Sequence, residues 1–165
     1  MQSGKVEVAL EPSGFYLRLQ GDVRVPWCVS LETFCETAIQ QIGDGQVYVD
    51  LTLAENMDST TLGVLAKVAV MASRDTHHRA MLLCDNEDLL RLVLSMGFAQ
   101  VFEICSAENH PLGDVSYREL PLVECSDGDM HDAVIDAHQT LIDMTEDNRE
   151  AFEGLVDALK QQRNS

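Results

Sequence analysis

A junction near the middle of the chain, where a strand leads into a helix, constrains the fold more than any other feature. Residues 47–53, VYVDLTL, have the apolar and β-branched character of a buried strand. After a short polar loop, Asp58, Ser59 and Thr60 stand at the start of an apolar helix predicted over residues 59–74. Such a junction presents a hydroxyl group at the positive end of a helix, where an added phosphate is electrostatically favourable. The sequence therefore indicates a candidate site for a phosphorylation switch.

The elements around this junction alternate between strand and helix. Strands are predicted at residues 6–10, 15–20, 46–53, 80–84 and 102–105, and helices at residues 30–41, 59–74 and 87–94. The first two strands are separated by a Pro-Ser-Gly turn and form an antiparallel hairpin, whereas the later strands are separated by helices. This order predicts an α/β fold whose sheet opens with a hairpin and continues with mainly parallel strands.

The remainder of the chain divides into a connector and a helical extension. We predict a sheet domain over residues 1–107, a polar connector over 108–129 and a C-terminal helical extension over 130–165. The sequence leaves open whether residues 117–123 form a short strand. It also leaves open whether the extension is one continuous helix or two helices, the second capped by Thr145.

The charge of the chain restricts its partners. Asp and Glu number 28 against 11 Lys and Arg, which gives a net charge of -17. A surface of this sign repels nucleic-acid phosphates and anionic lipid headgroups, so we expect no direct nucleic-acid binding and no membrane binding. A protein partner with a basic patch is the favoured alternative.

The five cysteines are odd in number and lack a C-x-x-C pair or zinc-ligand spacing. We interpret them as reduced, small apolar residues in a cytoplasmic protein, because the chain also lacks a signal-like N-terminus and an apolar run of about 18 residues. The acidic clusters lack the spacing of a calcium loop, and no glycine-rich phosphate loop occurs. We therefore expect no metal and no cofactor.

The order of elements and the junction sequence together resemble the STAS domain of bacterial anti-sigma factor antagonists. Residues 58–63, DSTTLG, match the usual Asp-Ser-Ser/Thr-Gly-Leu-Gly of that family, with Thr61 where Gly is common. Residues 47–51 match the strand ending in Asp-Leu that precedes this motif, and Gly97-Phe98 matches a later pair that leads into the last strand. The resemblance covers roughly residues 5 to 107.

The resemblance implies a partner switch. An anti-sigma factor that is also a serine kinase would phosphorylate Ser59, with Thr60 as the second candidate, and a metal-dependent serine phosphatase would remove the phosphate. The docking surface implied for this partner is formed by Asp58, Ser59, Thr60, Thr61, Val64, Lys67, Val68 and Met71. The helix is apolar on two faces, so it is either buried on both or leaves one face for a partner. We expect the Ser59 hydroxyl to point outward.

Parts of the same sequence are also compatible with other roles. The residues at the junction could simply cap a helix. Ser59 could be a nucleophile with a histidine as its base, but no G-x-S-x-G elbow surrounds it, so we expect no enzyme activity. The candidate bases would be His77, His78, His110, His131 and His138. A STAS domain could also be a constitutive structural subunit of a transport complex that binds an ATPase. The C-terminal helices would either pack on the sheet domain, or form a homodimer or clamp a partner.

Overall fold

The computed structural model describes residues 3–163 as a six-stranded sheet with five α-helices. The strands are β1 (Lys5–Glu11), β2 (Gly14–Val23), β3 (Gln46–Met57), β4 (Ala80–Leu83), β5 (Phe102–Cys105) and β6 (Arg118–Glu119). The helices are α1 (Cys28–Gln41), α2 (Ser59–Thr76), α3 (Glu87–Ser95), α4 (Asp127–Met144) and α5 (Glu146–Arg163). Short 3-10 turns precede α1 and β5.

The strand order in the sheet is β5-β4-β3-β2-β1-β6. The β1 and β2 strands form an antiparallel hairpin, and β2, β3, β4 and β5 run parallel to their neighbours. The short β6 strand closes the other edge by pairing antiparallel with β1. This architecture confirms the predicted α/β fold with an opening hairpin and mainly parallel strands.

The two faces of the sheet are covered by different parts of the chain. Alternate residues of a strand point to opposite faces, and Phe15 of β2 packs against Phe34 of α1 with ring centroids 6.0 Å apart. On the opposite face, the guanidinium of Arg18 lies 3.9 Å from the ring centroid of Tyr117. Tyr117 belongs to the connector, which therefore covers part of the sheet face that the helices leave open.

Several boundaries differ from the sequence prediction. The β3 strand continues to Met57, because its polar end pairs with β2 through Asp22–Asn56 and Val23–Met57. The open question about residues 117–123 is answered by a strand of only two residues, β6. The α4 helix begins at Asp127, three residues before the predicted extension, because the side chain of Ser126 caps it.

The extension consists of two helices that separate at Thr145. The Thr145 Oγ1 accepts a hydrogen bond from the backbone N–H of Asn148 at 3.0 Å, as expected for the capping residue of a second helix. The side-chain amide of Asn148 donates hydrogen bonds to the carbonyl oxygens of Leu141, at 2.8 Å, and Met96, at 2.9 Å. These bonds attach the corner between α4 and α5 to the end of α3.

The extension packs on the sheet domain. The buried apolar side chains on the two helices are Ala133, Ala137, Leu141, Ile142 and Val156. The α4 helix contacts mainly α2 and also α1, and α5 packs on α4. Of the alternatives that the sequence left open, packing on the domain is the arrangement found in this chain.

The helices are unsuited to spanning a bilayer: among residues 3–163, none combines the necessary length with the necessary hydropathy. All five cysteines have free thiols, and three of them are buried.

Candidate functional site

The junction between β3 and α2 is fixed by the carboxylate of Asp58. Its Oδ1 accepts hydrogen bonds from the backbone N–H and the hydroxyl group of Thr61, both at 2.8 Å. Its Oδ2 accepts a bond from the backbone N–H of Val25, also at 2.8 Å. Asp58 therefore caps α2, as the sequence predicted, and also attaches the helix start to the turn between β2 and α1.

Thr61, which departs from the glycine of the family motif, is buried. Its hydroxyl group lies 3.1 Å from the carbonyl oxygen of Val23 and 3.6 Å from the thiol of Cys28. Burial of Cys28 raises the pKa of its thiol to about 12, so this cysteine is protonated and unreactive at neutral pH. The side chain of Thr61 faces the core, and a partner approaching the surface does not meet it.

Ser59 is the first residue of α2, but its hydroxyl group does not point outward. The Oγ atom lies 2.8 Å from Nε2 of His138 on α4. The other ring nitrogen of His138, Nδ1, lies 2.8 Å from the carbonyl oxygen of Val134. Because a carbonyl oxygen only accepts, Nδ1 carries the proton, and in the neutral ring Nε2 accepts from Ser59. The predicted outward orientation is wrong because α4 lies over the helix start.

His138 is held rigidly in this contact. The side chain is 2% exposed, and the ring packs edge-on against Phe152 of α5 with centroids 5.1 Å apart. Of the five histidines considered as bases for Ser59, His138 is the one that hydrogen-bonds to it. Its Nδ1 bonds to a backbone carbonyl, whereas a catalytic triad places a carboxylate there.

Two further contacts, at Gly63 and Lys67, join α2 to α4, and together with the contact at Ser59 they form what we call the seam between α2 and α4. A Cβ atom built on Gly63 would lie 2.7 Å from the Cβ of Ala137, so the two helices meet at this glycine without room for a side chain. One turn later, the ammonium group of Lys67 pairs with Glu32 of α1 and, at 3.1 Å, with Asp136 of α4. Partial burial alone would lower the pKa of Lys67, but the hydrogen bonds to the two carboxylates outweigh burial and raise it.

The structure buries most of the side chains predicted to form the docking surface. The buried members of that set are Thr60, Thr61, Val64, Val68 and Met71. The sequence allowed α2 to be buried on both faces or to leave one face open, and burial on both faces is what the chain adopts. Ser59, Asp58 and Lys67 are the partly exposed members. The role of all eight predicted residues in docking stays a prediction.

A groove that sequence reasoning missed lies between α1 and the connector. It has a volume of about 410 Å³ and is mainly lined by apolar side chains, among them Phe34, Leu120 and Val123. Ser30, which also lines the groove, exchanges hydrogen bonds with the backbone of Val123. The connector carried no periodic pattern, so nothing in the sequence placed it against α1.

Among residues 3–163, no group of three or more His, Cys, Asp or Glu side chains has the arrangement of a metal site.

The fold of this chain is similar to that of a known anti-sigma factor antagonist. A solved structure similar to this chain is that of the anti-sigma factor antagonist SpoIIAA in its unphosphorylated form. The two share 16% identity with a TM-score of 0.50, and the match covers 64% of this chain and 89% of that one. This likeness confirms the fold that the sequence motifs implied. Comparisons with protein-family models and with curated proteins gave no match.

Proposed function

We propose that this chain is a non-enzymatic partner-switching regulator of the anti-sigma factor antagonist type, with Ser59 as its phosphate acceptor. In its unphosphorylated form it docks a kinase-type anti-sigma factor, and phosphorylation by that partner releases it. A metal-dependent serine phosphatase then restores the docking form. One observation supports this function above the others: Ser59 is the first residue of α2, directly after its capping aspartate, in a fold similar to that of SpoIIAA.

The local electrostatics favour Ser59 as the acceptor. Apart from the capping carboxylate of Asp58, the start of α2 contains no acidic side chain, and the partial positive charge there favours an added anion. A phosphate adds about -1.5 to -2 charges and three acceptor oxygens at neutral pH. Thr60, the second candidate, is buried, which favours Ser59 over it. Phosphorylation is therefore expected to change the surface of α2 while leaving the sheet folded.

Peptide-level mass spectrometry tests this function. Protein isolated from its native cells with phosphatases inhibited should carry a phosphate at residue 59, and the Ser59→Ala variant should lack it. A phosphate on Thr60 or on no residue, under several growth conditions, would contradict the assignment of Ser59.

A binding measurement tests the switch itself. The Ser59→Asp variant should bind its kinase-type partner more weakly than the wild type, whereas Ser73→Asp should bind equally well, because Ser73 is exposed near the other end of α2. Unchanged partner affinity in a folded Ser59→Asp variant would overturn the proposal. The alternative, a constitutive structural subunit, predicts co-purification with an ATPase that neither substitution affects.

A further inference from the structure

We propose that α4 is an internal competitor for the surface of α2 around Ser59, and that a docked α4 and a phosphorylated Ser59 exclude each other. This regulation rests on the proposed function, since it concerns the same serine. The three contacts that carry it, from Ser59, Gly63 and Lys67, follow one another at intervals of four residues on one side of α2.

The first contact leaves no space for a phosphate. The Ser59 Oγ and the His138 Nε2 are already at hydrogen-bond distance, 2.8 Å. A phosphoryl group would place a phosphorus atom and three oxygens where the imidazole ring stands. Since Phe152 packs against that ring and Val134 binds its other nitrogen, the ring cannot turn aside alone. With Ser59 in this rotamer, the helix that carries the ring has to move.

The second contact excludes an outside partner from the middle of the surface. At Gly63 the missing side chain lets the backbone of α4 touch α2, and Ala137 is buried there. A partner helix that docks on this stretch of α2 therefore occupies the same volume as α4. The α4 helix and such a partner therefore cannot bind α2 at the same time.

The third contact shows which chemical groups α4 places on the surface of α2 that a partner would occupy. The side chain of Asp136 is 64% exposed and pairs with Lys67, which also binds Glu32. The α4 helix thus presents an acid, a small residue and a hydrogen-bond acceptor in succession, at Asp136, Ala137 and His138. A competing partner would match the surface best with a small residue opposite Gly63 and an acid opposite Lys67.

The coupling works in both directions by thermodynamic necessity. If docked α4 disfavours a phosphate on Ser59, then a phosphate on Ser59 disfavours docked α4 by the same factor. In the unphosphorylated chain α4 and the partner compete for the same surface of α2, and in the phosphorylated chain the phosphate on Ser59 disfavours the docking of both. The attached α5 would move with it, because Phe152 packs on His138.

Hydrogen exchange on the purified full-length chain tests this coupling. In the Ser59→Glu variant the amides of α4 should exchange on the order of tenfold faster than in the wild type. The amides of β3 and β4 should keep their protection. The matched control is Ser73→Glu, the same substitution at an exposed position of α2, which should leave α4 unchanged. Unchanged α4 exchange in a folded Ser59→Glu variant would overturn the proposal.

A second measurement tests whether α4 covers residue 59 if the Ser59→Glu variant does not fold. In a Ser59→Cys background, Ala137→Lys should displace α4 and increase the rate at which iodoacetamide alkylates residue 59 by on the order of tenfold. The control, Ala151→Lys, adds the same side chain at an exposed position of α5. Buried Cys28 reports on the core and should stay unlabelled in both. Equal alkylation rates with Cys28 protected would show that α4 does not cover the site.

The two proposals fail in different ways. If no phosphate is found on Ser59 in native cells, the proposed function fails, while the purified protein still reports whether α4 and residue 59 are coupled. If Ser59 carries phosphate but neither exchange nor alkylation responds to the substitutions, the partner switch stands and the internal competitor is excluded.

Discussion

The two sides of α2 differ in chemistry. Toward the sheet, helical spacing places Leu62, Leu65 and Ala69 on one side, and all three are buried. The side that faces α4 carries the hydroxyl group of Ser59, the backbone of Gly63 and the ammonium group of Lys67 in a row. The first side stabilises the fold by removing apolar surface from water. The second side adds a hydrogen bond and an ion pair to the close packing of Ala137 on Gly63, and these polar groups provide fit and pairing more than stability.

The largest expected effect comes from the sheet side. Replacing Leu65 by Ala should lower the free energy of unfolding by about 2–5 kcal/mol, because it leaves a cavity in the core. Urea unfolding measures this loss. The control is Leu94→Ala at a half-exposed position of α3, which should lose less than about 0.5 kcal/mol. Similar losses for both variants would contradict the packing described for α2.

The next effect comes from the α4 side. Gly63→Ala places a methyl group 2.7 Å from the Cβ of Ala137, and such overpacking typically costs about 1–3 kcal/mol. We expect the loss to appear as faster hydrogen exchange in α4, with the strands unaffected. Gly154→Ala is the control, since nothing lies within 4 Å of that position in α5. It should stabilise its helix by about 0.5–1 kcal/mol.

The next effect concerns the start of α2, where Asp58 caps the helix. Asp58→Ala removes the cap of the helix and the bond to Val25, so the free energy of unfolding should fall by about 0.5–2 kcal/mol. Thermal or urea unfolding checks this value. Asp85→Ala, an exposed aspartate that does not cap α3, should change stability less. A loss no larger than that of this control would show that the cap contributes little.

Alkaline pH should destabilise the packing between α1 and the start of α2, where Cys28 lies beside Thr61. Burial raises the pKa of Cys28 from about 9 to about 12, so its contribution to stability is complete below pH 9 and is lost as the pH rises from 9 through 12. By pH 10 the loss from Cys28 alone should be about 1.4 kcal/mol. Urea unfolding at pH 8 and pH 10 measures it. The Cys28→Ala variant should show a correspondingly smaller difference between the two pH values, and an equal difference would contradict the assignment.

The smallest effect is expected at the ion pair of the seam. Asp136→Ala removes a mainly exposed partner of Lys67 and should cost about 0.2–1 kcal/mol at low salt. Because salt screens exposed charges, the difference from wild type should shrink at high ionic strength. Urea unfolding at two salt concentrations checks both points. A loss that is larger and independent of salt would place Asp136 in a more buried role than the structure gives it.

The local features of the fold were accessible from the sequence. The hairpin, the alternating strands and helices, the Asp58 cap and the break at Thr145 each leave a signal within a few residues. The end of β3 left none, because Glu55 and Asn56 are polar and the strand continues only through pairing with β2. Propensity favoured a loop there, and tertiary pairing overrode it.

The seam between α2 and α4 was harder to predict. Periodicity identifies the apolar face of a helix, but it does not say which element covers that face. Ser59 and His138 are separated by 79 positions in the chain, so no local pattern connects them. One signal was present: a glycine inside a helix, Gly63, often marks a close approach of another backbone, and the small residues Ala133 and Ala137 match it.

The connector determines how far a released α4 can travel. It is pinned at β6 and again where the backbone of Val123 bonds to Ser30, so only residues 124–126 separate the last attachment from the start of α4. A tether this short keeps the helix at an effective concentration on the order of millimolar or above near its own binding site. An external partner that displaces α4 therefore competes with a ligand that never diffuses away. A weak partner would not displace α4. The affinity that a partner needs in order to dock would depend on the length of this three-residue tether.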